Sequence, residues 1–160
     1  MNLRTATPAD LAALTAVEHA CFPPAEAATE QQLSQRLEVY PYHFWLLEDE
    51  GKLVAFLDGM VTDEPTIRDE MFADVSMHNE QGAWQTIFGL NTLPEYRRQG
   101  CAARLLEAMT EDARDAGRRG CILTCKEPML HYYEKFGYRN LGVSRSVHGG
   151  AVWYDMMLEF

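Results

Sequence analysis

Arg97-Arg98-Gln99-Gly100-Cys101-Ala102 is the stretch of this chain whose residue types and order are best suited to chemistry. The residues before it, Trp84, Thr86, Ile87, Phe88 and Leu90, read as a strand, and a turn at Pro94–Glu95 follows. After it, Leu105, Leu106, Met109 and Ala113 recur at helical spacing, with Arg104, Glu107, Glu111 and Arg114 on the opposite face. A helix that opens from a glycine loop leaves its first N–H groups without intrahelical partners, and its dipole favours an anion there. The two arginines add charge-assisted donors. That is the chemistry of a phosphate site. A Walker A loop needs a Lys-Ser/Thr pair after its second glycine and a dinucleotide fingerprint needs three glycines, and this loop meets neither requirement. The same hexamer is also compatible with a plain strand-to-helix turn bearing a surface Arg pair.

Other reactive side chains carry less. Cys121 and Cys125 lie in an apolar segment that reads as a strand, where an i, i+4 pair is roughly 13 Å apart. That is too far for a disulfide or a shared metal, so these two, with Cys21 and Cys101, read as reduced thiols and no metal is expected. His78 sits in a polar loop and reads as solvent-facing. His131 reads as exposed or capping, and His148, in a hairpin turn, has no assigned role.

The totals bound the class. The 160 residues are 47% hydrophobic and 24% charged, the balance of a globular chain, read as one domain over residues 1–160. A net charge of −10 argues against nucleic acid or a membrane surface as partner. It suits a cationic small molecule such as an amine, as well as simple solubility. No apolar run approaches the ~20 residues of a membrane span. The N-terminus MNLRTATPADL has no apolar core of a signal peptide, so a cytoplasmic location is expected.

The elements that must position these groups follow in order. Leu3 to Thr7 suggests a first strand, and Thr7-Pro8-Ala9-Asp10 opens a helix with Leu11, Leu14, Val17 and Ala20 inward, ending near Cys21. A second helix begins about Thr29, with Leu33 and Leu37 inward. Phe44–Glu48 and Leu53–Val61 form a hairpin about Gly51. Thr62 to Gly82 reads as a long polar excursion over the surface. After the strand, loop and helix come a buried strand at Cys121–Cys125 and a short helix at Met129–Phe136. A closing hairpin pairs Tyr138–Val147 with Trp153–Leu158 around Gly149-Gly150. The order predicts an α/β fold: a mixed sheet of about seven strands flanked by about four helices.

Arg97-x-x-Gly100-x-Ala102, after a strand and opening a helix, resembles the pyrophosphate loop of the GNAT acetyltransferase superfamily. Leu130-His131-Tyr132-Tyr133-Glu134-Lys135-Phe136-Gly137-Tyr138 resembles that superfamily's ALxxYxKxGF segment. The resemblance implies acetyl-CoA as cofactor. Backbone groups of Leu90, Asn91 and Thr92 would then pair with the pantetheine arm, and Gly89 would permit its close approach. Arg97, Arg98, Gln99, Gly100, Cys101, Ala102 and Ala103 would hold the pyrophosphate. Tyr133 would stand near the thioester sulfur and protonate the departing thiolate. A tyrosine at this point that merely packs the core is the plainer alternative.

Within the superfamily the chain is most similar to the arylalkylamine N-acetyltransferases. Phe22-Pro23-Pro24-Ala25-Glu26 resembles their F-P-x-x-E substrate loop, Arg68-Asp69-Glu70-Met71-Phe72 their D-E-L segment, and Phe136-Gly137-Tyr138 their F-G-F turn. The two histidines that vertebrate members carry in the central strand are replaced here by Thr86 and Phe88. The resemblance therefore implies Glu26 as the base that deprotonates an amine. It also implies Phe22, Pro24, Glu26 and Phe88 around the substrate, with Tyr40 and Tyr42 near them. The expected activity is direct transfer of an acetyl group to a small primary amine, an arylalkylamine or a polyamine, by a monomer or homodimer. Transfer to a protein N-terminus or lysine and a non-catalytic acyl-CoA-binding module are the alternatives.

Overall fold

A computed structural model describes residues Met1–Phe160. Local capping decides where the first helices begin. Thr7 N–H donates to Asp10 Oδ2 at 2.8 Å and Asp10 N–H to Thr7 O at 3.0 Å, so a short 3-10 turn leads into α1 (Leu11–Cys21). Thr29 and Gln32 exchange reciprocal bonds of 3.0 and 3.1 Å at the entry to α2 (Glu30–Val39). The third helix, α3 (Cys101–Asp115), starts at Gly100, and α4 (Leu130–Glu134) is a short one, reached through a 3-10 turn at Glu127–Met129. All four fall where the hydrophobic spacing puts them.

The strands form two sheets, with nine strands in all. One is antiparallel: β1 (Asn2–Thr5), β2 (Phe44–Asp49) and β3 (Lys52–Asp58), with β6 (Gly89–Thr92) on the far edge. The other has the order β4 (Val61–Thr62), β5 (Trp84–Ile87), β7 (Gly120–Cys125), β9 (Tyr154–Glu159), β8 (Arg139–Val143). In it only β5 and β7 run parallel, joined by the right-sized crossover through α3. The expected count of about seven strands is low, partly because the stretch around Phe88 is not one strand. Trp84–Ile87 pairs with β7, whereas Gly89–Thr92 pairs with β3.

Helices cover both faces. In β2, Phe44 and Leu46 point to the core under α1 and α2, while Trp45 and Leu47 point to the core under α3 and α4. Each core is a cluster of 17 buried residues. Leu105 and Met109 of α3 are fully covered, each burial contributing about 2 kcal/mol. The segment read as a surface excursion is partly core. Met71 is fully buried and Ile67 nearly so, because two 3-10 turns, Asp69–Phe72 and Val75–Met77, fold the segment back over α2. No helix is long and apolar enough to cross a membrane.

Candidate active site

The change of partner at Phe88 creates the site. Phe88 N–H donates to Asp58 O at 2.7 Å, which draws the chain off β7 and onto β3. The last β5–β7 pair is Ile87 with Leu123; beyond it Thr124 and Cys125 pair only with β9. A wedge therefore opens between β6 and the end of β7. Leu93 N–H donates to Val54 O, so the hydrogen-bonded positions toward β3 are Asn91 and Gly89. Leu90 and Thr92 turn their backbone groups to the open edge. Thr92 O is already shared by Arg97 Nε at 3.1 Å and Cys21 Sγ at 3.4 Å. Of the three residues expected to offer backbone groups there, Asn91 is taken by the ladder and Leu90 is the least engaged.

On one side of the wedge lies a groove of about 510 Å³, lined by Leu90, Thr92, Arg97, Arg98, Tyr132 and Tyr133 with the first residues of α3. Arg98 and Gly100 have φ of 63° and 79°, a left-handed turn that aims successive N–H groups outward. The first helical bond of α3 is Arg104 N–H to Gly100 O, so the N–H groups of Cys101, Ala102 and Ala103 have no intrahelical partner. A Cβ at Gly100 would meet nothing within 4 Å, so its role is conformational. This loop fits a pyrophosphate. The Gln99 side-chain amide donates to Glu95 O at 3.2 Å, outside the groove, so only its backbone is free to take part.

On the other side is a cavity of about 330 Å³. Phe22, Phe72, Phe88, His148 and Trp153 form much of its wall, and Tyr133 lines both this cavity and the groove. Burial holds the Tyr133 phenol above its ordinary pKa, so it stays protonated. Two charged side chains, Glu18 and Arg36, line it from apolar helix faces, and Arg36 is bound to a third, Asp58. Glu18 is 5% exposed and its Oε2 accepts the Ala28 N–H at 2.9 Å. Arg36 Nη1 donates to Asp58 Oδ2 at 2.9 Å and Nη2 to Phe72 O at 2.7 Å, with the guanidinium 5.1 Å from the centre of the Phe88 ring. The guanidinium thus pairs with Asp58, and only its charge reaches Glu18. Burial, reinforced by Asp58, pushes the Glu18 carboxyl up to about 7.

Glu26, expected as the base, borders the cavity but is already bound. Its Oε2 accepts from Lys126 Nζ at 2.6 Å, and its backbone carbonyl accepts from His148 Nε2 at 2.9 Å. The Glu26 carboxylate is thus already paired with an ammonium, whereas the Glu18 carboxyl has no side-chain cation in contact with it. Pro24 is exposed and off the wall, where Pro23 stands instead. Phe22 and Phe88 do line the cavity. Tyr40 is buried behind Arg36 and Tyr42 is 74% exposed, so the aromatic wall comes from Phe72 and Trp153, which chain order separates widely. Glu18 and Arg36 left one signal: each sits at i+3 or i+4 from buried leucines of its helix, a charge on an apolar stripe.

His78 is also not solvent-facing. Its Nδ1 accepts the Val61 N–H at 3.0 Å, which leaves the hydrogen on Nε2, and Nε2 donates to Glu80 at 3.0 Å. His43 Nε2 donates to the same carboxylate at 2.9 Å, and Arg118 reaches it at 3.2 Å. With that lone pair used and a guanidinium alongside, the His43, His78 and Glu80 group is a hydrogen-bond clamp, not a metal-ligand set. All four cysteines are free, and Cys121 and Cys125 instead touch Met109 and Met156 sulfurs at 3.5 and 3.6 Å.

The family model described as acetyltransferase (GNAT) family matches residues 11–138. N-acetyltransferase 8 of Homo sapiens is 29% identical over 104 residues, which are 63% of this chain and 40% of that protein. Serotonin N-acetyltransferase of Mesocricetus auratus is 26% identical over 110 residues, 68% of this chain and 51% of that protein. The matches thus span about half or less of those relatives. Among solved structures, a GphF GNAT-like decarboxylase in complex with isobutyryl-CoA superposes with TM-score 0.88 at 22% identity, over 99% of both chains. PaiA N-acetyltransferase from Thermoplasma acidophilum in complex with coenzyme A gives 0.74 at 13% identity, over 99% of this chain and 98% of that one. These likenesses are of fold.

Proposed function

The chain belongs to the acetyltransferase (GNAT) family, and on that premise we propose that it transfers an acetyl group from acetyl-CoA to the primary amine of a small molecule. The observation that carries the reading is the wedge between β6 and β7, with a basic glycine loop on one side and a cavity lined by a buried carboxyl on the other. Bound in the groove, the cofactor would supply the thioester. The N–H groups of Cys101, Ala102 and Ala103 with Arg97 and Arg98 would hold its pyrophosphate. Leu90, at the open edge, would pair with the pantetheine arm, and its N–H would polarise the thioester carbonyl.

Chemistry then follows from the cavity side. An amine enters as an ammonium and gives one proton to Glu18. The freed lone pair attacks the thioester carbonyl carbon, forming the C–N bond. As the C–S bond breaks, the sulfur takes a proton from Tyr133, and the phenol recovers it from the nitrogen of the collapsing adduct. The proton on Glu18 returns to solvent. A cavity of about 330 Å³ supports a small acceptor over a protein tail, and the wall of Phe22, Phe72, Phe88 and Trp153 supports an aryl or aralkyl amine over a polyamine.

Thiol release from acetyl-CoA, measured with tryptamine, phenethylamine, spermidine and a lysine peptide, tests this. Turnover with an aryl amine is the expected result. Turnover confined to the peptide would reassign the acceptor. Because one similar structure is of a GNAT-like decarboxylase, malonyl-CoA without amine belongs in the same series, and carbon dioxide release there with no amine turnover would overturn the reading.

A further inference from the structure

Beside Glu18 and Arg36, outside the cavity lining, lie more polar atoms than the reaction above uses. Asp58 and Asn91 are both 0% exposed. Asp58 Oδ1 and both side-chain amide atoms of Asn91 lack a hydrogen-bond partner within the protein, as does Arg36 Nε. Such orphans are costly when buried, so several in one place point to a shared task. They converge on Gly89. A Cβ built there would lie 3.0 Å from Asn91 Nδ2, 3.1 Å from Asp58 Oδ1 and 3.4 Å from Glu18 Oε1. The strand switch that opens the wedge therefore also brings two carboxylate oxygens and an amide nitrogen around one glycine. Any side chain at this position would separate them.

We propose that Asp58 and Asn91 are positioning residues for Glu18: the two carboxyl groups take up the acceptor's proton as one unit, with the Asn91 amide orienting the oxygens. This rests on the acetyl-transfer reading for its purpose, but the coupling itself is a property of the free protein. The only bonds that change are the N–H bond of the ammonium and the O–H bond gained by the carboxyl pair. The groups facing Glu18 are few. Arg36 comes from α2, Asp58 from β3 and Asn91 from β6, Cys21 lies one turn on along α1, and the Ala28 N–H binds Oε2. Across the cavity, Lys126 is neutralised by Glu26, and His148 donates to the Glu26 carbonyl. The Asp58 charge is thus the one negative group close to Glu18. It keeps the proton affinity of Glu18 high, and Arg36 keeps the pair from binding two protons. The surplus charge also selects an acceptor that arrives positively charged.

Isotope-edited NMR of glutamate carboxyl carbons, with the Glu18 signal assigned by its loss in Glu18→Gln, reads the coupling directly. The free protein should show a Glu18 midpoint of about 7. Asp58→Asn should lower it by about one pH unit or more. Asn91→Ala, which keeps every charge, should raise it by a few tenths as the amide beside the carboxyl is removed, and it carries the test if the Asp58 variant does not fold. The acid limb of kcat/KM with an amine should move in step, whereas a merely structural defect would lower the whole profile without moving its midpoint. An unmoved Glu18 midpoint in a folded Asp58→Asn protein, or in Asn91→Ala should Asp58→Asn not fold, would overturn the proposal even if amine turnover is normal. Shifted midpoints with no amine turnover would leave the pair standing and sink the acetyl-transfer reading instead.

Discussion

The groove and the cavity meet at Leu90 and Tyr133, yet they are built on opposite principles. The groove uses backbone N–H groups, exposed arginines and a left-handed glycine, all supplied within a dozen residues of one strand-to-helix connection. The cavity uses side chains from α1, α2, β7, the Asp69–Phe72 turn and the closing hairpin, and its Glu18 and Arg36 charges are buried. A site for a constant ligand part can be made of backbone geometry, which any sequence with the right turn provides. A site for a variable acceptor needs side chains, and those have to be gathered from distant places.

The contrast can be broken most severely at Glu18. Glu18→Gln should lower kcat/KM for the amine by about 10²–10⁴-fold while leaving acetyl-CoA affinity within twofold of the parent. A similar loss of cofactor affinity, read by calorimetry, would show that the two sides are not separable. Tyr133→Phe should come next, lowering kcat by about 10²-fold with binding retained, because the phenol acts when the thiolate departs. On the groove side Arg98→Ala should raise the KM for acetyl-CoA by about tenfold at unchanged kcat, the reverse split.

A stability measurement sharpens the same comparison. The Glu18 carboxyl has a folded-state value of about 7 against an ordinary 4.5. Between those values the folded chain binds more protons than the unfolded one, so this group's contribution falls as pH rises and is lost by about pH 7. Unfolding free energies from denaturant titrations of the parent and Glu18→Gln should therefore agree near pH 4.5 and separate by a few kcal/mol at pH 8, with the variant more stable. The smallest effect is expected at Glu26. It is bound to Lys126, which is 42% exposed, so Glu26→Ala should change amine kcat/KM by about fivefold at most. A loss as large as that of Glu18→Gln would return the base to Glu26.

The helices were legible because their signals are local. Thr29 with Gln32, the Leu105, Leu106 and Met109 stripe, and the strand before Gly100 all act within a few residues of themselves. The partner switch at Phe88 was not legible, since a continuous apolar strand gives no sign of which neighbour each half will choose. Glu18 was readable in principle as a charge on the Leu11–Leu14 stripe. Nothing in α1 itself, however, says whether such a charge snorkels to water or is trapped beside Asp58. Tyr40 and Tyr42 were misjudged for the same reason: near in sequence to β2, they lie behind and outside the cavity.

The amino-acid sequence by itself determined the family, the order of elements and the phosphate-shaped loop, because each rests on periodicity, capping or a glycine that must adopt positive φ. Only the tertiary structure decided which carboxylate is free. Glu26 lies 100 residues from the lysine that binds it, and Glu18 is 40 from Asp58, whose charge combines with burial to raise its proton affinity. Proton affinity is set by what surrounds a group in space, and the chain's order does not carry that information until it folds.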